Sequence, residues 1–297
     1  MNETVLHKLN TVNPLKTEYQ ISFIKHVLYE LEKNDTEEIH DVIYEQIAEK
    51  LVEEKPEFSF KHFLLDDQDE AITIKESNSF IRDGTTGLKL WPAAMALGDF
   101  VQQEKEMFDG KSILEIGSGN GFVGFVLAKA CQPKRIILSD CHESVLENLI
   151  ENVNLNLPKE ETEEMERTLM FRHRLKTKDE VEIGVIELPW EEVDKNEVEL
   201  RKFCKPNILL ASDVVYDDSI FDALMKCVNK LFELFGKSLT FFLSQTIRNE
   251  ETFIKFCNLL HDNNFSISEE KLKTSIFFNV PSEKIKILRI NLCNKKN

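Results

Sequence analysis

Residues 113–124, ILEIGSGNGFVG, hold four of the chain's ten glycines directly behind a run of isoleucine and leucine. SILEI (112–116) reads as a buried strand, and GSGNG turns the chain straight into FVGFVLAKA, whose composition suits a helix. Glycine tolerates positive φ and lets a ligand come close to the backbone, and the helix start behind it offers N–H groups. A plain tight turn is the competing reading of the glycines alone. Two acids weigh against it: Glu115 inside the strand, and Asp140 at the end of the next apolar run, RIILSD. An acid about 20 residues past such a loop binds ribose hydroxyls in doubly wound sheets, so the stretch as a whole points to a nucleoside-like ligand.

From residue 111 onward short apolar runs alternate with helical stretches: SILEI, RIILS, VEIGVIEL, NILLA, LTFFLS, SIFFNV and IKILRINL. This rhythm predicts βαβ units and a mainly parallel sheet, with the last runs close enough together to form an antiparallel pair. The charged stretch LPKEETEEMER between the second and third runs is expected to be a surface helix or loop. Upstream, Ile21, Ile24, Val27, Leu28 and Leu31 recur at three- and four-residue steps, which predicts an amphipathic helix over 17–33. A second helix follows, capped by Asp35 with Glu38 reaching back, its apolar stripe formed by Ile39, Val42, Ile43, Ile47 and Leu51 up to Pro56. The expected division is a helical module without strands over residues 1–75, ending in the acidic DDQDEA, and an α/β domain over 76–297.

Charge and cysteine use narrow the function classes. The formal net charge is −16, and the first 80 residues carry 18 acidic against 8 basic side chains. That balance disfavours a phosphate backbone as partner and suits either a solvated surface or a basic protein partner. The six cysteines lie far apart with no C-x-x-C pair, and no signal peptide is recognisable, so reduced thiols and a cytoplasmic location are expected. Closely paired zinc ligands are missing from the sequence, so no metal is expected. No apolar run reaches the roughly 18 residues of a membrane span, and a soluble monomer is the expectation.

The fourth apolar run supplies the other half of a site. NILLASDVVYDDSIF ends a hydrophobic strand in Ser212, Asp213, Val214, Val215 and Tyr216, which places a carboxylate and a phenol at the sheet edge where doubly wound folds bind ligands. A helix cap with a packing aromatic is the competing reading of Asp213 and Tyr216. G-x-G-x-x-G would suit a dinucleotide enzyme, but the spacing of Gly117, Gly119 and Gly121 is G-x-G-x-G behind Glu115, and no nicotinamide-side pattern accompanies it.

E-x-G-x-G-x-G with a distal Asp resembles the S-adenosylmethionine loop of class I methyltransferases. D-x-x-Y after the fourth run, joined to GTTGLKLW (84–91), resembles the seven-stranded protein-lysine methyltransferases. Within them GTTGLKLWPAA, LEIGSGNGFVG, SDCHESVLENLIENVNLN, ELPW, ASDVVYD and TIRNEETFIKF, spanning roughly residues 80–260, are similar to the eukaryotic group that modifies translation elongation factor 2. The resemblance implies a doubly wound, seven-stranded, mostly parallel sheet with an antiparallel edge. It implies S-adenosylmethionine as cofactor, lysine methylation as activity and elongation factor 2 as protein partner, with no direct nucleic-acid substrate.

By the same resemblance, Glu115, Gly117, Ser118, Gly119 and Gly121 form the methionine and ribose side of the cofactor site, and Asp140 holds the ribose hydroxyls. Trp190 flanks the adenine and Trp91 closes over the cofactor, with core burial as the alternative for both indoles. Ser212 departs from the small residue, often alanine, of the related enzymes. His142 is read as a surface or adenine-adjacent residue. Asp213 is assigned to capture and alignment of the lysine, and Tyr216 to orienting Asp213 or shaping the channel. Two other classes stay open at this point: a related methyltransferase acting on another protein, a nucleic acid or a small molecule, and a non-catalytic cofactor-binding scaffold.

Overall fold

Strand β3 (Ser112–Ile116) is buried along its whole length and lies at the centre of a nine-stranded sheet in a computed structural model that describes residues 12–34, 41–65, 71–159, 162–166, 170–273, 275–277 and 284–293. Its parallel neighbours are β4 (Arg135–Asp140) on one side and β8 (Ile208–Ser212) on the other. Beyond β4 lie β7 (Glu182–Glu187), then β6 (Phe171–Thr177), antiparallel to β7, and β5 (Thr162–Glu164), antiparallel to β6. Beyond β8 lies parallel β9 (Thr240–Thr246), then β11 (Ile285–Leu292), antiparallel to β9, and β10 (Phe265–Glu270), antiparallel to β11 and so parallel to the core strands. The order β10-β11-β9-β8-β3-β4-β7-β6-β5 is a doubly wound α/β sheet with the expected antiparallel edge at β11, extended beyond the expected seven strands by β6 and β5, which add antiparallel pairings at the other edge. Chain order reverses at β3, so the crevice at the carboxyl ends of β3, β4 and β8 is the switch point where such sheets bind ligands.

The strands read as unbroken apolar runs because both faces are covered. Ile113 on β3, with Ile208 and Leu210 on β8, packs into one core with α3 (Pro92–Gln103), α4 (Phe122–Ala130) and α5 (Glu143–Asn156). Leu114 and Ile116, with Leu209 and Ala211, face the opposite core under α6 (Phe221–Phe235) and α7 (Glu250–Asp262). Alternation of strand side chains assigns each residue to its core.

The N-terminal region differs from a purely helical module. Helices α1 (Thr17–Asn34) and α2 (Asp41–Val52) form where the apolar spacing places them, with Ile24 and Leu28 buried. The expected cap Asp35, its partner Glu38, the stripe residue Ile39 and residues 66–70 of DDQDEA lie outside the described residues. Downstream, β1 (Phe58–Leu64) and β2 (Ala71–Ser77) pair as a hairpin that the sequence reading missed, because FSFKHFL is broken by polar residues. A boundary at 75/76 therefore cuts through β2.

The edge of β2 away from β1 is held by asparagines of α5. Asn152 accepts from the Lys75 amide at 2.8 Å and donates to the Lys75 carbonyl at 3.2 Å. Asn156 does the same with Thr73, at 2.8 and 2.7 Å. Four helical residues advance about 6 Å and two strand residues about 6.6 Å, so amides one turn apart match backbone groups two residues apart.

Two further expectations are corrected. The charged insertion carries the three-residue edge strand β5, with Glu160, Glu161 and Arg167 outside the described residues, and β6 follows it. In the antiparallel pair at the other edge, the partner of IKILRINL is FSISEE and not SIFFNV. Ser275, Ile276 and Phe277 of SIFFNV leave the sheet because buried Asp99 on α3 binds them. Its carboxylate accepts from the Ser275 hydroxyl and the Ile276 and Phe277 amides at 2.9–3.0 Å.

Candidate active site

The turn after β3 is built on glycine because its backbone is left-handed and crowded. Gly117 and Gly119 have φ of +64° and +54°; a Cβ on Gly117 would lie 3.0 Å from Val214 Cγ1, and one on Gly119 would lie 3.0 Å from the Gly87 carbonyl oxygen. The turn is tied to β4. Ser118 N–H donates to the Ser139 carbonyl at 2.8 Å, Ser139 N–H donates back to Ser118 Oγ at 3.0 Å, and Gly119 N–H donates to Asp140 Oδ2 at 3.2 Å. Replacing Gly119 with valine puts a β-branched side chain on a left-handed backbone against a carbonyl that cannot move aside. At least a hundredfold loss of nucleoside affinity by calorimetry is the expected result; tenfold or less would show that the turn tolerates bulk.

The turn forms one wall of a cavity of about 460 Å³. Gly117, Ser118, Gly119, Asp140, Trp190, Trp91, Ser212, Asp213 and Tyr216 all line it, so residues from separate parts of the chain converge as the sequence reading expects. His142 lines it too. Glu115 and Gly121 do not. Gly121 starts α4 at φ +83°, and its Cβ would meet Leu149 Cδ1 at 2.5 Å, so its lack of a side chain serves packing against α5.

Glu115 is 1 % exposed, and its Oε2 has no hydrogen-bond partner among the described residues. Burial, with the nearby Asp140 charge adding to it, pushes its carboxyl up to about 8. Asp140 is also pushed up by burial, against the opposing pull of the Cys141, His142 and Gly119 amides on its oxygens.

The largest correction concerns Asp213. It is 8 % exposed, it has φ +54° although it is not glycine, and its carboxylate accepts five hydrogen bonds. Oδ1 receives Gln245 Nε2 at 3.2 Å, the Thr246 amide at 3.0 Å and Arg248 Nη1 at 3.1 Å. Oδ2 receives Thr246 Oγ1 and Arg248 Nη2, each at 3.1 Å. A group expected to capture a substrate ammonium is thus already engaged as half of a bidentate ion pair. Tyr216 is not among its partners; it is 58 % exposed beside the cavity, and burial of its hydroxyl end raises the phenol above its usual range.

The sequence reading did not pick out Arg248, Gln245 or Thr246 as site residues. All three stand in or beside the block TIRNEETFIKF, and the polar run SQTIRNE at the carboxyl end of an apolar strand was the available signal. It also left the turn before α3 without roles, although Gly84, Thr85, Thr86, Gly87 and Lys89 line the cavity. Lys89 is turned toward the Ser77 carbonyl at 3.2 Å and Glu76 at 3.7 Å. With Asp213 neutralised by Arg248 and Lys89 engaged by Glu76, Asp140 and Glu191 leave the lining suited to a cationic ligand.

Comparison with known proteins agrees with this geometry. The family described as lysine methyltransferase matches residues 66–260. Protein-lysine N-methyltransferase EEF2KMT of Bos taurus is 31% identical over 267 residues, covering 85% of this chain and 73% of the relative. EEF2KMT of Homo sapiens is 30% identical over 258 residues, covering 85% and 72%. Protein-lysine N-methyltransferase EFM3 of Chaetomium thermophilum is 30% identical over 212 residues, covering 71% of this chain and 56% of the relative.

Proposed function

The chain belongs to the lysine methyltransferase family, and from that premise we infer that its cavity holds S-adenosylmethionine and that its protein substrate is translation elongation factor 2. The observation that carries the cofactor reading is the convergence of the glycine turn, Asp140, Trp190 and the Asp213 strand end on one cavity. The substrate reading is supported by relatives named EEF2KMT that match 85% of the chain. The proposal extends to a monomeric cytoplasmic enzyme without nucleic-acid or membrane partners, in keeping with a net charge of −16. No helix among the described residues is long and apolar enough to cross a membrane.

The residues present fit that cofactor. The spaces where Cβ atoms of Gly117 and Gly119 would sit form a cradle that only glycine leaves open. Glu115, two residues before the cradle, lies beneath it and outside the cavity lining, with an Oε2 that no described residue hydrogen-bonds. Asp140, at the end of β4, is placed for ribose hydroxyls, and Trp190, beside Gly117, offers a ring for the adenine. When bound, S-adenosylmethionine supplies an electrophilic methyl group on a sulfonium.

The work left to the chain is positioning and exclusion of water. A lysine enters past Tyr216, and its lone pair must be free for attack. Neutralising an amine with a reference pKa of about 10.4 at pH 7 costs roughly 4–5 kcal/mol. A low-dielectric cavity and a nearby positive charge both lower that cost. The chain's own part would be to hold the lysine nitrogen at the mouth beside Tyr216, facing that methyl group, and to leave the proton it gives up a path to solvent.

The functional test is transfer of radiolabelled methyl from S-adenosylmethionine to unmethylated elongation factor 2, with RNA and small-molecule fractions counted in parallel. Label on one lysine of the factor, located by mass spectrometry, is expected. Label in RNA or a metabolite instead would overturn the reading.

Glu115 gives a pH signature without substrate. Its folded-state pKa lies above the unfolded value, so between roughly pH 4.5 and 8 the unfolded chain releases a proton that the folded chain keeps, and stability falls as pH rises. Glu115→Gln removes this loss. Its thermal midpoint is expected to match wild type near pH 4.5 and to exceed it near pH 8; a constant gap would refute the assignment.

A further inference from the structure

Arg248 decides the charge that the Asp213 side of the cavity presents to a substrate. Its guanidinium binds both oxygens of Asp213 at 3.1 Å, and its Cζ lies 5.0 Å from the centre of the Trp91 ring. Asp213 and Trp91 both line the cavity, so Arg248 is pinned at two points of the same wall. The arrangement needs arginine: only a planar fork binds both carboxylate oxygens while lying against an indole, and its charge persists at every working pH. Its side chain is 42% exposed whereas that of Asp213 is 4% exposed, so the pair has a buried anionic end and a solvent-reaching cationic end.

A bare carboxylate beside a lysine stabilises the ammonium, which has no lone pair to attack with. We propose that Arg248 is a positioning residue for methyl transfer, cancelling the charge of Asp213 so that the substrate amine meets a neutral ion pair. The inference rests on the protein-lysine methyltransferase reading above. Asp213 in turn anchors Arg248 and the end of β9 through Gln245 and Thr246. The left-handed backbone at Asp213, an unfavourable conformation for a residue with a side chain, is held by its amide donating to the Ser244 carbonyl at 2.9 Å.

Other charged and titratable groups face the same cavity from every side. Lys89 lies on the turn before α3, Asp140, Cys141 and His142 lie at the end of β4, Glu191 follows β7, and Tyr216 follows β8.

The test is the pH profile of kcat, which reports the amine bound beside the pair, for methylation of elongation factor 2 by wild type, R248M, D213N and the double variant, with cofactor affinity by calorimetry. R248M leaves a bare carboxylate, and its acid limb is expected to move up by about one pH unit, roughly a tenfold loss at neutral pH. D213N leaves a bare guanidinium, and its limb is expected to move down. The double variant is expected to return near the wild-type limb, although its kcat is lower. A merely structural role lowers kcat at all pH values with the limb unmoved, which overturns the proposal. If R248M does not fold, the near-isosteric D213N decides: a limb moving down supports the proposal, and an unmoved limb overturns it. Wild-type protein that binds S-adenosylmethionine yet labels no protein at any pH removes the functional reading and this inference with it.

Discussion

Replacing Asp213 with alanine is expected to lower methyl transfer to elongation factor 2 by at least about a hundredfold while S-adenosylmethionine affinity stays within a few fold. The reason lies in what the side chain holds. Its two oxygens fix Arg248, the Thr246 amide and hydroxyl, and the Gln245 amide, while Gln245 Oε1 accepts from the Val215 amide at 3.0 Å. Removing the carboxylate releases the β9 end and the loop that carries Tyr216 together, and displacements of about 1 Å at a reacting centre cost on the order of a hundredfold in rate. The cradle of Gly117, Ser118, Gly119 and Asp140 is tied to β4 by separate bonds, which is why cofactor binding survives. Single-turnover transfer and calorimetry on the same sample check both halves. Transfer within tenfold of wild type, or cofactor affinity lost in parallel, would show that Asp213 has a different role.

The second large effect is on stability. Asn152→Leu strips the partner from the Lys75 amide and from the Asn120 carbonyl, which Asn152 Nδ2 reaches at 3.1 Å, while the Lys75 carbonyl keeps the Asn148 side-chain amide at 3.2 Å. Each backbone group left without a partner costs about 1–3 kcal/mol, so a loss of roughly 2 kcal/mol or more is expected for the two. At the size of this chain that lowers the thermal midpoint by about 4–8 °C. Because Asn120 lines the cofactor cavity, nucleoside affinity should fall in the same variant. A midpoint within about 2 °C of wild type would show that the hairpin docks by its apolar residues alone, Ile72 and Ile74 being fully buried. Leucine is the stricter test, since it keeps the volume and removes only the hydrogen bonds.

Much of this molecule is legible in one dimension. A buried parallel sheet demands strands apolar on both faces, and SILEI, RIILS, VEIGVIEL, NILLA and LTFFLS meet that demand, so a mainly parallel sheet follows from composition and spacing, while its doubly wound order was implied by the family resemblance. Gly117 and Gly119 are equally legible, because positive φ and close backbone approach leave no other residue type at those positions. Asp140 and Asp213 follow from chain geometry, since the last residue of a parallel strand in such a sheet must stand at the ligand edge.

Other features were decided by contacts that leave no periodic mark. The β1–β2 hairpin exists because Asn152 and Asn156, far along the chain, supply the bonds its open edge lacks. SIFFNV has strand composition, yet its described residues 275–277 leave the sheet because buried Asp99 binds their amides. The state of Asp213 was likewise settled only in space. Its place at the strand end is a property of the sequence, but whether it stands as an open anion depends on Arg248, 35 residues later in the chain, lying within 3.1 Å. Local pattern fixes which backbone groups and side chains reach the switch point, because strand geometry repeats; the charge they carry there is set by partners from distant segments, because electrostatic pairing depends on distance in the fold and not along the chain.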